Sequence, residues 1–243
     1  MMDTFLTRFS LRQACRNSHR ISRGFAGWQV VAVSLLLMPL CLVANRENWV
    51  PDTLIEQADK EYGRLAMFRM ERWRDMLYSA ANLKDDLDKL ERVNNFFNKE
   101  VPYRFDKNHW KVVDYWATPY EMLGTNGGDC EDYVIAKYYS LLKIGLDSSR
   151  VRFNYVKALE YNQAHMVLTY YPTPNAIPLV LDNLDRSIRS ADKRTDLKPV
   201  YSFNLDSMWL DEAVDRSIRL GESNKIDRWT DLRTRMAAIG MEL

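Results

Sequence analysis

The chain has 243 residues, a formal net charge of +1, and 47% hydrophobic and 28% charged residues. These values are typical of a globular protein that is long enough to bury one large core or two smaller ones. The near-neutral net charge indicates nothing about partners, but the body of the chain contains no basic tract. We therefore expect no nucleic-acid partner.

The first 44 residues differ in composition from the rest of the chain. Four arginines precede an uncharged run over residues 24–44: Arg12, Arg16, Arg20 and Arg23. A basic segment followed by an apolar one is typical of an export signal, and Ala44 stands at a plausible cleavage site. The apolar core is short for a membrane span, and an uncleaved N-terminal anchor is the alternative. We expect residues 1–44 to direct export and residues 45–243 to form one domain.

The distribution of cysteines singles out one thiol. Cys15 and Cys41 lie in the N-terminal segment, so an exported body retains Cys130 alone. A lone cysteine cannot form an internal disulfide, and in an oxidising compartment it is a liability unless it is buried or used. A reactive role for Cys130 is therefore favoured.

Helical spacing of apolar residues extends from Asp52 to about Asn98, with a break near residues 81–82, and predicts two or three helices. The Val101-Pro102 step should end the last of them. An irregular aromatic segment follows. Thr118-Pro119-Tyr120-Glu121 then has the sequence of a capping box and predicts a short helix.

The turn Gly127-Gly128 leads into the segment CEDYVIAKYYSLLK, which reads as a helix that begins at Cys130, with Asp129 as its N-cap. Unpaired N–H groups and the helix dipole favour a thiolate at this position. The alternative is a capped helix with an inert, buried cysteine. The helix should pack its apolar side on a sheet or another helix and expose Lys137 and Lys143 on its outer face.

The pattern changes from helical to extended after Gly145. The runs VRFNYV, HMVLTYY, IPLVLDN and PVYSFN predict four strands, with short antiparallel connections. Helical spacing returns between Asp206 and Leu243, in Trp229, Leu232 and Met236, and predicts a peripheral helical element.

His165 begins one predicted strand and Asp182 ends the next. If these strands pair antiparallel through the loop YPTPNA, the imidazole and the carboxylate lie at the same edge of the sheet. A thiol nucleophile needs a base, and the base needs a group that fixes its tautomer. Cys130, His165 and Asp182 are therefore the candidate triad, in which the N–H of Cys130 would bind the oxyanion. Trp110 or Trp116 is a possible second donor.

The run TPYEMLGTNGGDCEDYVIAKYYSLLKIGL, with AHMVLTYY and VLDNL downstream, resembles the bacterial transglutaminase-like cysteine proteinases. Within this family it is similar to the periplasmic proteases that release large biofilm adhesins. The resemblance implies an α+β, papain-like or transglutaminase-like fold, in which the nucleophile helix packs on an antiparallel sheet. Carried over residue by residue, it makes Cys130 the nucleophile, His165 the base and Asp182 the orienting acid.

Carboxylates beside a thiolate raise its pKa, so Asp129, Glu131 and Asp132 oppose catalysis unless a cation such as calcium neutralises them. The resemblance implies calcium dependence, with these residues as ligands and a further carboxylate such as Asp114. The alternative is that acidic residues simply complement the helix dipole.

The resemblance also implies the partners. The substrate would be a large repeat-containing adhesin, cut in its N-terminal region near an Ala-Ala pair. The inhibitor would be the periplasmic domain of a LapD-like inner-membrane receptor for cyclic-di-GMP. Two other functions remain open at this point, namely acyl transfer to an amine by a transglutaminase and partner binding by a non-catalytic domain of the same fold.

Overall fold

The computed structural model describes residues 48–213 and 215–243. The predicted export segment, with Cys15 and Cys41, therefore lies outside the described residues. The helices in these ranges are α1 (Asp52–Tyr62), α2 (Arg64–Ala81), α3 (Asp86–Glu100), α4 (Asp106–His109), α5 (Pro119–Thr125), α6 (Cys130–Lys143) and α7 (Asp227–Ala238). The strands are β1 (Val151–Ala158), β2 (Gln163–Tyr170), β3 (Leu179–Leu181), β4 (Arg189–Ser190), β5 (Leu197–Phe203), β6 (Ser207–Ala213) and β7 (Arg216–Glu222). No described helix is long and apolar enough to span a membrane.

The strands form one sheet in the order β4-β3-β2-β1-β5-β6-β7. Every neighbouring pair is antiparallel. Helices occupy the first half of the described chain and strands most of the second, and α6 packs on β1 and β2. The predicted α+β fold with a nucleophile helix on an antiparallel sheet is confirmed.

The helix α6 lies at the centre of the fold. One side contacts β1 and β2, while α3 and α5 pack on other sides. The indole Nε1 of Trp73 on α2 donates to Ser140 Oγ at 2.9 Å, which ties a further helix to it. The predicted exposure of Lys137 is wrong, because its side chain is completely buried. A helix that is covered on several sides has no solvent-facing position there.

The C-terminal region departs from the helical prediction. Ser207–Ala213 and Arg216–Glu222 form the hairpin β6–β7, a 3-10 turn covers Ser223–Lys225, and the α-helix covers Asp227–Ala238. The helix is not peripheral, because Trp229 and Leu232 are fully buried. Apolar and polar residues alternate only weakly in the hairpin, since most side chains of β7 are exposed and polar. A short edge strand of this kind gives little periodic signal in the sequence.

Trp229 closes an aromatic cluster between α7 and the sheet. Phe153 and Phe203, on the neighbouring strands β1 and β5, stack with ring centroids 4.7 Å apart, and the Trp229 ring meets both edge-on at 5.0 and 5.7 Å. Arg235 on the same helix donates to Glu121 Oε2 at 2.8 Å and to the Trp116 carbonyl. The helix α7 therefore anchors the segment that precedes the nucleophile turn.

We expect Trp229→Ala to lower the free energy of unfolding by about 3–5 kcal/mol, because it removes a fully buried aromatic side chain and leaves a cavity. Urea denaturation measures this change. The control is Leu65→Ala, since Leu65 is 72% exposed and its truncation should change stability by no more than about 0.5 kcal/mol. Equal effects of the two substitutions would show that α7 is peripheral after all.

Candidate active site

A glycine turn positions the start of α6. Tyr103 forms a parallel bridge with Gly128, and the Arg104 N–H donates to the Gly128 carbonyl at 2.9 Å. A Cβ on Gly128 would lie 2.7 Å from Oδ2 and 2.8 Å from Cβ of Asp132. A side chain at residue 128 would therefore displace Asp132, and the close approach requires glycine. Cys130 follows as the first residue of the helix, as predicted.

The Cys130 sulfur is buried and hydrogen-bonded. Its S–H donates to Glu131 Oε2 at 2.7 Å, and the Met166 N–H on β2 donates to the sulfur. Burial, followed by the charges of Glu131 and Asp129, raises the pKa of the thiol well above its ordinary value, and the Met166 bond opposes this only in part. The thiol is therefore harder to ionise in this site than an ordinary cysteine thiol.

His165 and Asp182 lie beside each other, as the strand pattern predicts. The strands β2 and β3 pair antiparallel, and His165 Nε2 is 2.8 Å from Asp182 Oδ1. Their exposed fractions are 3% and 1%. Because a carboxylate only accepts hydrogen bonds, Nε2 carries the proton, and Nδ1 is the nitrogen that can act as a base.

Other groups besides His165 also donate hydrogen bonds to the Asp182 carboxylate. Oδ1 also accepts from the N–H groups of Asn183 and Leu184 at 2.6 and 3.1 Å, and Oδ2 accepts from Arg194 Nη2 at 2.8 Å. Burial alone would raise the pKa of Asp182, but the His165, Arg194 and Leu184 interactions outweigh it and hold the pKa well below its usual range. The carboxylate is therefore ionised and fixed in direction.

Two further side chains bind the backbone carbonyl of Asp182. Asn98 Nδ2 on α3 donates to it at 2.8 Å and Lys137 Nζ on α6 at 3.1 Å. Burial lowers the pKa of Lys137 to about 7, against the opposing effect of the Asp182 charge. Sequence analysis missed Asn98 and Arg194, because each is one polar residue in a segment without a motif. It placed Lys137 on the exposed face of α6, and only the fold shows that the three lie together.

Carboxylates crowd around the nucleophile in two overlapping groups. Ligand atoms of Asp106, Asp129 and Asp132 lie within 4.8 Å of one another, and so do those of Asp129, Cys130 and Glu131. Oδ1 of Asp106 and Oδ1 of Asp129 are buried without a hydrogen-bond partner in the described structure. Burial, then the charges of Glu131, Asp132 and Asp106, raises the pKa of Asp129 to about 10.

This arrangement fits a hard divalent cation, which prefers several carboxylate oxygens and would satisfy the two unpartnered atoms. Asp132 is committed elsewhere, since Oδ1 accepts from the Ala117 N–H at 2.7 Å and Oδ2 from the Asp129 N–H at 3.1 Å. Asp132 therefore braces the turn. Asp106 and Asp129 each keep an unpartnered oxygen for a cation, and Glu131 is grouped with Asp129 and Cys130.

Asp114 lies near this group but outside it. Its Oδ2 pairs with Arg228 Nη2 at 2.9 Å, which joins the segment before α5 to the start of α7. Asp106, which the sequence analysis did not single out, takes the position that was predicted for a further carboxylate. One helical turn, α4, places it there, and a single turn leaves no recognisable sequence pattern.

One backbone N–H and one indole N–H are uncommitted and could serve as oxyanion donors. The Cys130 N–H belongs to the first helical turn, where N–H groups have no acceptor within the helix. The indole N–H of Trp110 is buried without a hydrogen-bond partner among the residues described. The indole N–H of Trp116, by contrast, interacts with the Asp114 carboxylate.

The family model described as bacterial transglutaminase-like cysteine proteinase BTLCP matches residues 71–203. Among solved structures, Legionella pneumophila LapG is 38% identical with a TM-score of 0.66, and the match covers 76% of this chain and 96% of that chain. Legionella pneumophila LapG treated with EGTA gives 37% identity, a TM-score of 0.66 and the same coverage. The calcium-bound form gives 38%, 0.65, and coverage of 76% and 98%. No curated protein matches the chain in sequence.

We expect Arg194→Met to cost about 3–5 kcal/mol at neutral pH, because it leaves the buried Asp182 carboxylate without its cationic partner. The depressed pKa of Asp182 stabilises the fold above the unfolded carboxyl pKa of about 4, and this stability is lost as the pH falls through the folded pKa. The pKa of Asp196, which Arg194 also lowers, acts in the same direction. The difference in the free energy of unfolding between wild type and Arg194→Met should therefore become smaller below about pH 4.

Denaturation curves across this pH range test the prediction. Arg189→Met is the matched control, since Arg189 is half-exposed and pairs with Asp185 at the surface, where an ion pair contributes about 0–1 kcal/mol. If Arg194→Met lowered the free energy of unfolding by the same amount at every pH, packing and not charge would explain its effect.

Proposed function

The chain belongs to the bacterial transglutaminase-like cysteine proteinases, and from that premise we propose that it is a calcium-dependent periplasmic endopeptidase that cleaves a large surface adhesin. Cleavage would fall in the adhesin's N-terminal region near an Ala-Ala pair, and release of the adhesin would promote biofilm dispersal. The observation that carries the catalytic part is the buried His165–Asp182 pair at 2.8 Å. His165 lies on β2, which packs against the helix that begins at Cys130.

The proposed reaction is acyl transfer to water. His165 Nδ1 takes the proton of Cys130, and the thiolate attacks the peptide carbonyl to form a tetrahedral intermediate. The Cys130 N–H stabilises its oxyanion. His165 then gives the proton to the leaving amine, and water hydrolyses the thioester. Asp182 keeps Nε2 protonated and stabilises the imidazolium that forms.

The acidic groups around the thiol are the reason for including calcium. Asp106, Asp129 and Glu131 would hold the ion, and bound there it would neutralise the charges that raise the pKa of Cys130. Asp132 keeps the turn in place through its bonds to the Ala117 and Asp129 N–H groups. The calcium-bound and EGTA-treated structures of Legionella pneumophila LapG support the same ion in this chain.

The location and partners rest on the family and on the N-terminal sequence. The basic and then apolar pattern of residues 1–44 supports export to the periplasm. Similarity to LapG supports an adhesin as substrate and the periplasmic domain of a LapD-like inner-membrane receptor for cyclic-di-GMP as inhibitor.

We expect Cys130→Ala to abolish cleavage of adhesin N-terminal fragments while the protein stays folded, because no other described cysteine can replace the nucleophile. Incubation of fragments with calcium and mass spectrometry of the products measures this. Circular dichroism of the variant and the wild type serves as the control for folding. An added primary amine separates hydrolysis from transglutamination, since a transglutaminase would attach it to a glutamine side chain of the uncut fragment, whereas a protease cuts the main chain. Cleavage that survives Cys130→Ala would overturn the proposed nucleophile.

We expect calcium at a hundred times its dissociation constant to raise the free energy of unfolding by about 2.7 kcal/mol and EGTA to abolish cleavage reversibly. Asp129→Asn should remove both responses, because Asp129 supplies one of the unpartnered oxygens. Asp75→Asn, an exposed acidic residue on α2, should retain both. Calorimetry and thermal unfolding with and without calcium give the measurement, and activity that persists in EGTA would reject the metal.

A further inference from the structure

Five residues that pair directly across neighbouring strands form one row on the face of the sheet that α6 covers. They are Met166 on β2, Tyr155 on β1, Tyr201 on β5, Leu210 on β6 and Ile218 on β7. Side chains of directly paired residues project from the same face of a sheet. The five therefore form a continuous strip across the sheet, called the inner row below.

The inner row becomes more exposed with distance from the centre of the sheet. Met166 is fully buried, the two tyrosines are half-buried, and Leu210 and Ile218 are 41% and 47% exposed. In the neighbouring row, Phe153 and Phe203 are completely buried and Met208 is half-buried. The cover that α6 and α7 provide thus ends at the inner row, and its outer part is open to solvent.

The buried end of the inner row touches the nucleophile. The Met166 N–H donates to the Cys130 sulfur, and the next two side chains, Tyr155 and Tyr201, stack with centroids 5.1 Å apart and planes 9° apart. Their phenols are neutral at physiological pH, since burial raises the pKa of Tyr155 and brings that of Tyr201 to about 12. The strip that leads away from Cys130 is therefore flat, largely apolar and uncharged.

We propose that the inner row is the binding surface for an extended, uncharged segment of the peptide substrate on one side of the scissile bond. The inference rests on the protease activity proposed above. The proposed ligand is a peptide because the strip is one residue wide and starts at the sulfur that must reach a peptide carbonyl. A contiguous run of exposed apolar side chains next to a nucleophile is also typical of a binding groove.

The spacing of the strands predicts which substrate residues each side chain of the inner row contacts. Neighbouring strands lie about 4.8 Å apart, so Leu210 and Ile218 are about 14 and 19 Å from the β2 position. An extended peptide rises about 3.4 Å per residue. Leu210 and Ile218 should therefore contact substrate residues about four and six positions from the scissile bond, and residues between them would face away.

Cleavage of a randomised peptide library by wild type, Leu210→Asp, Ile218→Asp and the double variant tests the inference, with products identified by mass spectrometry. A series of peptides that lengthens the best substrate one residue at a time gives kcat/KM. We expect kcat/KM of the wild type to rise at least about tenfold as the peptide passes the fourth residue on one side, as the gain from an apolar contact allows. The acidic variants should lose this gain and prefer Lys or Arg at that position.

Val200→Asp is the matched control, because Val200 is 42% exposed and adjoins Tyr201 on the opposite face of the same strand. Its cleavage profile should equal that of the wild type. Alkylation of Cys130 by iodoacetamide should proceed at one rate in all variants, which shows that the nucleophile is intact. Leu210→Ser replaces Leu210→Asp if the acidic variant unfolds, and it should lose the gain without acquiring a preference for basic residues.

Identical profiles for wild type, the inner-row variants and Val200→Asp would overturn the inference, as would a wild-type rate that does not depend on peptide length. If the protein cleaved library peptides but not adhesin fragments, the proposed substrate would be overturned. The cleavage profiles of the variants would then still decide whether the inner row binds the peptide. A wild-type protein that cleaves no peptide in either assay would overturn both.

Discussion

The fixation of Asp182 is the constraint on which the catalytic geometry depends. Six groups donate to this one residue: His165, the N–H groups of Asn183 and Leu184, and Arg194 to its carboxylate, and Asn98 and Lys137 to its carbonyl. They come from β2, from the segments that follow β3, from α3 and from α6. The orienting carboxylate is thus the point at which helices and sheet are joined, and the direction of the imidazole follows from the packing of the whole domain.

The buried charges around Asp182 fix the orientation of its carboxylate more than they stabilise the fold. A buried ion pair such as Arg194–Asp182 gains little net free energy, because desolvation of both charges offsets their attraction. Its effect is geometric, since an ionised carboxylate that accepts hydrogen bonds at both oxygens from four fixed donors has one low-energy orientation. Lys137 adds to this without a full charge, because a pKa of about 7 leaves its amine partly neutral near physiological pH.

The sequence predicts best where local rules decide structure. The segment that follows the glycine turn forms a helix with both ends as predicted, and the capping box at Thr118 forms as its spacing indicates. The His165–Asp182 pair was accessible because alternation and a turn define the register of two adjacent strands. These features depend on residues that are close in the chain, and each has a pattern of its own.

Local rules fail where contacts between distant segments decide. Helical spacing places Lys137 on a polar face, but the fold buries its side chain completely. Arg194 reads as one charge in a loop, and Asp106 as one acid in an irregular segment, since nothing near either residue shows what it meets in the fold. The hairpin β6–β7 was missed because an edge strand with polar side chains on both faces has almost no hydrophobic period.

The acidic residues around Cys130 link metal binding to the chemistry of the nucleophile. Helix position and the Met166 N–H favour a thiolate, while burial, Glu131 and Asp129 oppose it and prevail, so that the thiol pKa is raised. Two of the nearby carboxylates also have buried oxygens without partners, which is unfavourable for the fold itself. A cation bound by these oxygens, as proposed above, would remove both penalties at once. Stability of the turn and reactivity of the thiol would then respond to the same ion, and substitution of Asp129 would change both.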